Sequence, residues 1–197
     1  MKPTSKFSGI LLISFLAFFS ISFAQKIMVS TDRGNIQLEL YPEKAPLTCK
    51  NFLKYVNENK YNGAVFYRAV RLNNQPTNKV KIEVIQGGLQ NDTIGNFPPI
   101  AHESTNMTGI KHVNGTLSMA RTIPGSATSE FFICINDQPE LDYNGKRNPD
   151  KQGFAAFGKV ISGMDVVLKI QQEKTGQGDK IQSLKTPVKI ISMRRIK

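Results

Sequence analysis

Alternation of apolar and polar residues begins just after residue 25. Residues 26–30 and 35–41 are each typical of a strand, and Ile36, Leu38 and Leu40 alternate with polar neighbours in the second stretch. The intervening Thr-Asp-Arg-Gly has the composition of a tight turn. This pattern predicts an antiparallel hairpin with one buried face.

Two later stretches carry apolar residues at helical spacing. The first helix is predicted to begin at Pro46, a residue tolerated in the first turn, and to end before residues 61–63. The second is predicted to begin at Ser162, with Asp165 completing an N-cap pair, and to run through Gln172. The predicted buried stripes are Cys49, Phe52, Leu53 and Val56 in the first helix and Met164, Val167 and Leu168 in the second.

The remaining apolar runs are short and are separated by polar stretches rich in turn-forming residues. Roughly eight strands and two helices result, which favours a mainly β fold. A closed antiparallel eight-stranded barrel capped by two α-helices satisfies this pattern, because closure leaves no strand edge exposed. The further predicted strands lie at 64–70, 80–86, 117–120, 131–135, 153–161 and 188–194.

Residues 1–24 have the composition of a secretory leader. Lys2 and Lys6 precede an apolar core at 10–23, and Ser-Phe-Ala at 22–24 places small residues where a signal peptidase cleaves. The alternative is an uncleaved anchor, since residues 7–24 approach membrane-spanning length. We expect an exported protein, periplasmic or secreted, with a single domain at 25–197 and no stable membrane insertion once the leader is removed.

The chain is strongly basic, with a formal net charge of +11. Its lysines and arginines are scattered, and the densest cluster, at 194–197, has no interleaved aromatic residues. A solvated basic surface therefore explains the charge better than a nucleic-acid site, and no nucleic-acid partner is expected.

The residues most often used for metal or nucleophilic chemistry are few. Cys49 and Cys134 fall on a helix face and in an apolar strand, so two buried thiols are favoured over a disulfide. His102 and His112 lack metal-ligand spacing, and a hydrolase dyad of His112 with Ser118 lacks the Gly-x-Ser-x-Gly turn. No metal and no cofactor are expected.

Two strands carry polar residues on otherwise apolar faces. Alternation places Glu130 beside Phe132 on one face of the strand at 131–135, next to a loop. It also aligns Arg68 with Phe66 and Val70. Such faces suggest a sheet wall beside a binding surface, although an edge-strand arginine reaching into water is the alternative for Arg68.

Four motifs in order resemble those of the cyclophilins, a family of peptidyl-prolyl cis-trans isomerases. The central one is Leu-Ser-Met-Ala-Arg followed by Gly-Ser-Ala-Thr-Ser-Glu-Phe-Phe-Ile. The ordered matches extend over about residues 26–194, which is far more specific than one short pattern. The four motifs lie at 66–70, 84–88, 117–133 and 157–167.

The resemblance implies a role for several residues. Arg68 would be the catalytic guanidinium, with Gln86 holding it and the substrate backbone, and Phe132 completing the catalytic set. Ala120 and Arg121 would offer backbone hydrogen bonds to a bound peptide. The proline pocket would be lined by Val84, Leu141 and Phe132, with Phe154 at its rim; for Leu141, ordinary core packing is an equal alternative.

Three acidic residues depart from the family pattern. Glu130 stands where the family usually has Gln, Glu83 where a pocket Phe is expected, and Glu140 where an aromatic residue usually lies at the rim. We expect Glu130 to pair with Arg68, and the acidic rim to favour basic residues in substrates. A further departure is the long polar loop at 71–82, which predicts an inserted surface loop beside the site.

The function implied is prolyl isomerisation during the folding of exported proteins. The substrates would be proline-containing polypeptides, and a monomer is expected. The alternative is a proline-peptide binding module or chaperone with little turnover. Because both would bind proline peptides, only the rate of isomer exchange separates them.

Overall fold

The computed structural model describes residues 25–90 and 95–197, so the predicted leader lies outside the described residues. Within those two ranges, no helix is long and apolar enough to span a bilayer. The strands are β1 (Gln25–Thr31), β2 (Gly34–Leu40), β3 (Val65–Val70), β4 (Val84–Gly88), β5 (Thr116–Met119), β6 (Phe131–Cys134), β7 (Ala155–Ser162) and β8 (Ser183–Ile196). The helices are α1 (Pro46–Asn57), α2 (Thr105–Thr108) and α3 (Met164–Gln172), with 3₁₀ turns at Pro139–Leu141 and Gly178–Lys180.

The strands close into one antiparallel barrel. Their order around it is β1-β2-β7-β5-β6-β4-β3-β8, and β8 closes the ring by pairing with both β1 and β3. Helix α1 packs against β7 and β8, whereas α3 packs against β2, β3 and β4. The predicted fold class, an eight-stranded closed barrel with two principal helices, is confirmed.

The hairpin turn between β1 and β2 shows how local sequence determines local structure. The Thr31 hydroxyl donates to the Gly34 carbonyl oxygen at 2.8 Å and accepts from the Arg33 amide at 3.0 Å. Gly34 has a φ of +130°, and a Cβ there would lie 2.8 Å from Val166 of α3. Glycine therefore permits both the turn and the close approach of α3.

An aromatic cluster fills the barrel beneath α1. Phe52 of α1 lies between Tyr61, Phe131 and Phe157, with ring centroids 5.1–5.5 Å apart. All four side chains are fully buried. Edge-on and tilted aromatic contacts of this kind add stabilisation beyond area burial, so the cluster anchors α1 on the sheet.

Several predicted boundaries are wrong. Strand β8 begins at Ser183, because residues that appear as a polar connector in sequence pair with β3. Helix α3 has no side-chain cap from Ser162; Gly163, in the left-handed region, precedes it, and a Cβ there would collide with the Asn35 carbonyl oxygen. In the predicted stripe of this helix, Leu168 is 44 % exposed and Ile170 is buried in its place.

Candidate active site

A cavity of about 240 Å³ opens on the face formed by β3, β4, β5 and β6. It is smaller than the roughly 300–1,000 Å³ typical of sites for drug-sized ligands, which suits a small ring. The structure brings eight of the predicted site residues to its walls and leaves Glu83, Glu130 and Glu140 outside. The lining consists of Arg68, Ile82, Val84, Gln86, Ala120, Arg121, Phe132, Leu141, Arg147, Asn148 and Phe154.

Strand register explains why residues far apart in sequence meet here. Arg68 lies opposite Gln86 in the β3–β4 pair, and Gln86 lies opposite Phe132 in the β4–β6 pair. Directly paired residues project from the same face of a sheet, about 5 Å apart. Arg68, Gln86 and Phe132 therefore form a row that crosses three strands.

The Arg68 guanidinium is held by two glutamine oxygens. Its Nη1 donates to Gln86 Oε1 at 2.8 Å, while Nε and Nη2 both donate to Gln182 Oε1 at 3.0 and 2.6 Å. Burial lowers the pKa of this guanidinium from its ordinary value, although arginine remains protonated at any physiological pH. Sequence reasoning missed Gln182, because it lies in the polar stretch between the predicted second helix and the predicted strand at 188–194.

Glu130 does not pair with Arg68, so that prediction was wrong. Its Oε2 accepts from the Tyr67 hydroxyl at 2.7 Å, and its Oε1 accepts from the Gln90 amide at 2.9 Å. The Tyr67 oxygen in turn accepts from Gln86 Nε2 at 2.6 Å. The Glu130 carboxylate lies over Gly88, 2.6–2.8 Å from where a Cβ on that residue would be, and from there it reaches Tyr67 and Gln90.

This chain of contacts orients the Gln86 amide. A carboxylate can only accept, so the Tyr67 hydroxyl must donate to Glu130 and use its lone pair for the Gln86 amide nitrogen. The Gln86 oxygen then faces Arg68. Burial, followed by the hydrogen bond to Glu130, raises the pKa of Tyr67 and keeps this hydroxyl protonated.

The apolar wall of the cavity is a small cluster separate from the main core. Phe132 packs edge-on against Phe154 with ring centroids 5.3 Å apart. Leu141, for which core packing was an equal alternative, is fully buried yet also lines the cavity. The cluster contains Val70, Ile82, Val84, Phe132, Cys134 and Leu141, with Ala120 and Phe154 packed against it.

Behind this wall, His112 bridges a carboxylate and a hydroxyl. Its Nδ1 lies 2.8 Å from Asp142 Oδ1, its Nε2 lies 3.0 Å from Ser118 Oγ, and its ring stacks on Phe132. Ser118 is fully buried, so this row of groups cannot reach a substrate as a hydrolase would require. Its position behind Phe132 indicates a supporting role for the aromatic wall.

Two arginines at the cavity differ in their partners. Arg121 makes a bidentate pair with Asp150 at 2.7 and 2.9 Å and lies over the Phe154 ring. Arg147 Nη1 donates to Gln75 Oε1 at 3.1 Å and to the Val80 carbonyl oxygen at 2.5 Å. Sequence reasoning missed Arg147, because nothing in its polar loop indicates that it folds towards the site.

The remaining predicted contacts are also changed by the tertiary structure. The Ala120 amide donates to the Glu130 carbonyl oxygen at 2.9 Å, so the backbone pairing predicted at Ala120 and Arg121 cannot use this amide and otherwise stays a prediction. Glu83 accepts from the Asn136 side chain, and Glu140 accepts from the Lys146 amide. None of the three acidic residues of the predicted rim lines the cavity. In residues 25–90 and 95–197, no group of His, Cys, Asp or Glu is arranged to hold a metal ion.

A closed eight-stranded barrel, with an arginine beside a cavity that has one apolar wall, is the arrangement to be compared with known proteins. The profile of the family described as "Cyclophilin type peptidyl-prolyl cis-trans isomerase/CLD" matches residues 26–195. The chain belongs to this family, and it is a peptidyl-prolyl cis-trans isomerase.

Individual relatives agree with this assignment. A peptidyl-prolyl cis-trans isomerase of Acinetobacter baylyi is 42 % identical over 172 residues, covering 85 % of this chain and 83 % of the relative. Peptidyl-prolyl cis-trans isomerase A of Dickeya dadantii is 37 % identical over 190 residues, covering 94 % and 92 %. A cyclophilin-type isomerase of Cryptosporidium parvum, 21 % identical, matches the fold with a TM-score of 0.71 over 89 % of this chain and 99 % of that one. The same Cryptosporidium protein has been solved in the presence of the dipeptide Ala-Pro.

Proposed function

We propose that Arg68, Gln86 and Phe132 carry out prolyl isomerisation at this cavity, and that the protein assists the folding of exported polypeptides. The observation that carries the first part is the fixed position of the Arg68 guanidinium beside the cavity wall. The second part depends on the leader-like composition of residues 1–24.

The chemical task is rotation about a single stiff bond. Resonance gives the peptide C–N bond partial double-bond character and a rotation barrier of roughly 18–20 kcal/mol. At the perpendicular geometry this resonance is lost, and the prolyl nitrogen regains a lone pair. A catalyst must therefore bind the twisted amide more strongly than either planar isomer, with no nucleophile and no metal ion required.

Arg68 has donors left for this purpose. A guanidinium carries five N–H groups, and the bonds to Gln86 and Gln182 use one each from Nε, Nη1 and Nη2. Two N–H groups remain, one on each terminal nitrogen. In the proposed mechanism these donate to the prolyl nitrogen and to a neighbouring carbonyl oxygen as the amide twists.

The apolar cluster would hold the proline ring still. Phe132, Leu141 and Val84 present buried hydrocarbon to the cavity, and Phe154 closes one side. Anchoring the ring leaves the preceding residue free to rotate, so the rotation axis is positioned against Arg68. Binding of an Xaa-Pro segment agrees with the Ala-Pro dipeptide used with the Cryptosporidium relative.

The catalytic part is tested by isomer exchange. Exchange of a short Ala-Pro peptide, followed by NMR, should slow by about 10²–10³-fold in Arg68→Ala, the loss expected for one preorganised donor. Arg68→Lys should also lose most activity, because an ammonium cannot keep two glutamine contacts and two free donors. Exchange at the wild-type rate in Arg68→Ala would overturn the assignment.

The cellular part needs a separate measurement. The N-terminal sequence of the mature protein, purified from the compartment where it accumulates, should begin at Gln25. A chain that retains residues 1–24 in the cytoplasm would contradict export and leave the chemistry at Arg68 unaffected.

A further inference from the structure

The charge balance of the cavity is unusual. Three arginines line it, and no aspartate or glutamate does. Arg121 is neutralised by Asp150. Across residues 25–90 and 95–197, Arg68 and Arg147 have no ion pair with a carboxylate. Two partly buried positive charges therefore share one small space.

Arg147 is held in this position by the inserted loop. Its Nη1 binds the side-chain oxygen of Gln75 and the main-chain oxygen of Val80. Gln75 is itself 1 % exposed and is fixed by hydrogen bonds to the main chain of Ile82. Arg147 thus extends towards the cavity from a rigid support, and its Nε and Nη2 make no hydrogen bond within the described chain.

The charge of Arg68 acts on the Arg147 guanidinium. Burial lowers the pKa of Arg147, and the positive charge of Arg68 lowers it further. A buried cation without a partner is costly, and an incoming carboxylate that also accepts hydrogen bonds removes that cost. Neutral glutamine and carbonyl oxygens stabilise the guanidinium groups only in part.

We propose that Arg147 is a specificity-determining residue that favours substrates with Asp or Glu within two residues of the proline. This inference depends on the proposed binding of proline at the cavity. It reverses the preference for basic flanking residues expected from sequence, because the three acids that suggested it turn away while Arg147 turns in. The inserted loop at 71–82 then has a role, which is to hold this cation at the substrate.

The test compares blocked peptides in which a single residue is Glu, Gln or Lys, with that residue placed one position from the proline in one series and two positions from it in another. We expect wild-type kcat/KM for the Glu peptide to exceed that for the Gln peptide about fivefold, and the Lys peptide to be the poorest. In Arg147→Met the Glu-to-Gln ratio should fall close to one. Taking the ratio within each variant removes any general change in rate.

Lys146→Met is the matched control. Lys146 precedes Arg147, is exposed and does not line the cavity, so the same loss of charge there should leave the ratio unchanged. Arg147→Lys, which keeps the charge, should retain part of the preference, and higher salt should reduce it. A wild-type ratio near one, or a ratio that persists in Arg147→Met, would overturn the proposal.

The two proposals fail in different ways. If Arg68→Ala exchanges the neutral Gln peptide at the wild-type rate, the cavity is not where isomerisation occurs. If Arg68→Ala is inactive on that peptide while wild type does not distinguish Glu from Gln, only the role of Arg147 is wrong.

Discussion

Gln182 receives two hydrogen bonds from Arg68 through one side-chain oxygen, from Nε at 3.0 Å and from Nη2 at 2.6 Å. Its own amide nitrogen donates to the Asn74 carbonyl oxygen at 3.1 Å. Gln182 thereby joins the guanidinium to the start of the inserted loop. We therefore expect Gln182 to be a positioning residue, which acts on the substrate only through Arg68.

Replacing Gln182 by Leu should lower kcat about tenfold with little change in KM, because one acceptor that orients a charged donor is lost. Isomer exchange at several peptide concentrations separates the two constants. Gln177→Leu, at an exposed position in the same segment, provides the matched control and should behave as wild type. A rise in KM alone would show that Gln182 serves binding and not orientation.

The Glu130–Tyr67–Gln86 chain leads to a second prediction. An amide at position 130 can donate as well as accept, so Glu130→Gln removes the constraint that turns the Gln86 oxygen towards Arg68. We expect kcat/KM to fall about threefold. Tyr67→Phe should cause a similar loss, and the double variant should lose little more than either single one.

Glu43→Gln is the control for that series, because Glu43 is exposed and the variant loses the same single negative charge. Activity that is unchanged or rises in Glu130→Gln would contradict this role of the Glu130–Tyr67–Gln86 chain.

The buried His112 predicts a pH-dependent stability. Burial lowers its pKa, against the opposing effect of the Asp142 hydrogen bond. A lowered pKa means that the unfolded chain binds a proton more readily, so the free energy of unfolding should decline as pH falls below about 6.5. The slope from this one group is at most about 1.4 kcal/mol per pH unit.

Asp142 extends this decline to lower pH. Burial alone raises the pKa of its carboxyl, but the hydrogen bonds from His112 outweigh burial and lower it. Its contribution is present above the ordinary carboxyl pKa and is lost as pH falls through the lowered value.

Urea unfolding at pH 7.5 and 5.5 measures the effect. His112→Gln should be less stable at pH 7.5 but should show a shallower decline between the two. His102→Gln, at the more exposed histidine, is the control and should keep the wild-type decline. An equal decline in all three proteins would contradict the assignment to His112.

The cysteines provide a prediction that needs no variant. Cys49 and Cys134 are buried and unpaired, as the sequence favoured. Burial raises the pKa of Cys49 to about 12 and raises that of Cys134 as well, so neither is a thiolate at neutral pH. A thiol-specific reagent such as Ellman's should react with neither cysteine in the native protein and with both in denaturant. Rapid reaction of the native protein would contradict this burial.

Strands and helices could be predicted from the local spacing of apolar residues where one face of the element is buried. The alternation of Ile36, Leu38 and Leu40 located β2 because each side chain enters the same core. The start of a strand could not be located from the sequence where its residues do not alternate in this way. The first residues of β8 are mostly exposed, so their pairing with β3 has no signature in sequence.

The residues of the candidate site also fall into two groups, those that the sequence predicted and those that it did not. Arg68, Gln86 and Phe132 could be recognised together because short, specific motifs carry them and strand register then aligns them. Gln182 and Arg147 could not be recognised, because each reaches the site from an irregular segment. For Gln182 the contact with Arg68 spans 114 positions in the chain.

The sequence by itself determined the barrel, because the periodicity of apolar residues shows where strands and helices lie. It also determined the family and the three residues Arg68, Gln86 and Phe132, because short motifs carry them. Only the tertiary structure decided which acids turn away, which hydroxyl orients Gln86 and which second arginine enters the cavity. Those outcomes depend on hydrogen-bond partners brought together by folding, and a carboxylate or guanidinium turns to whichever partner best replaces its lost water.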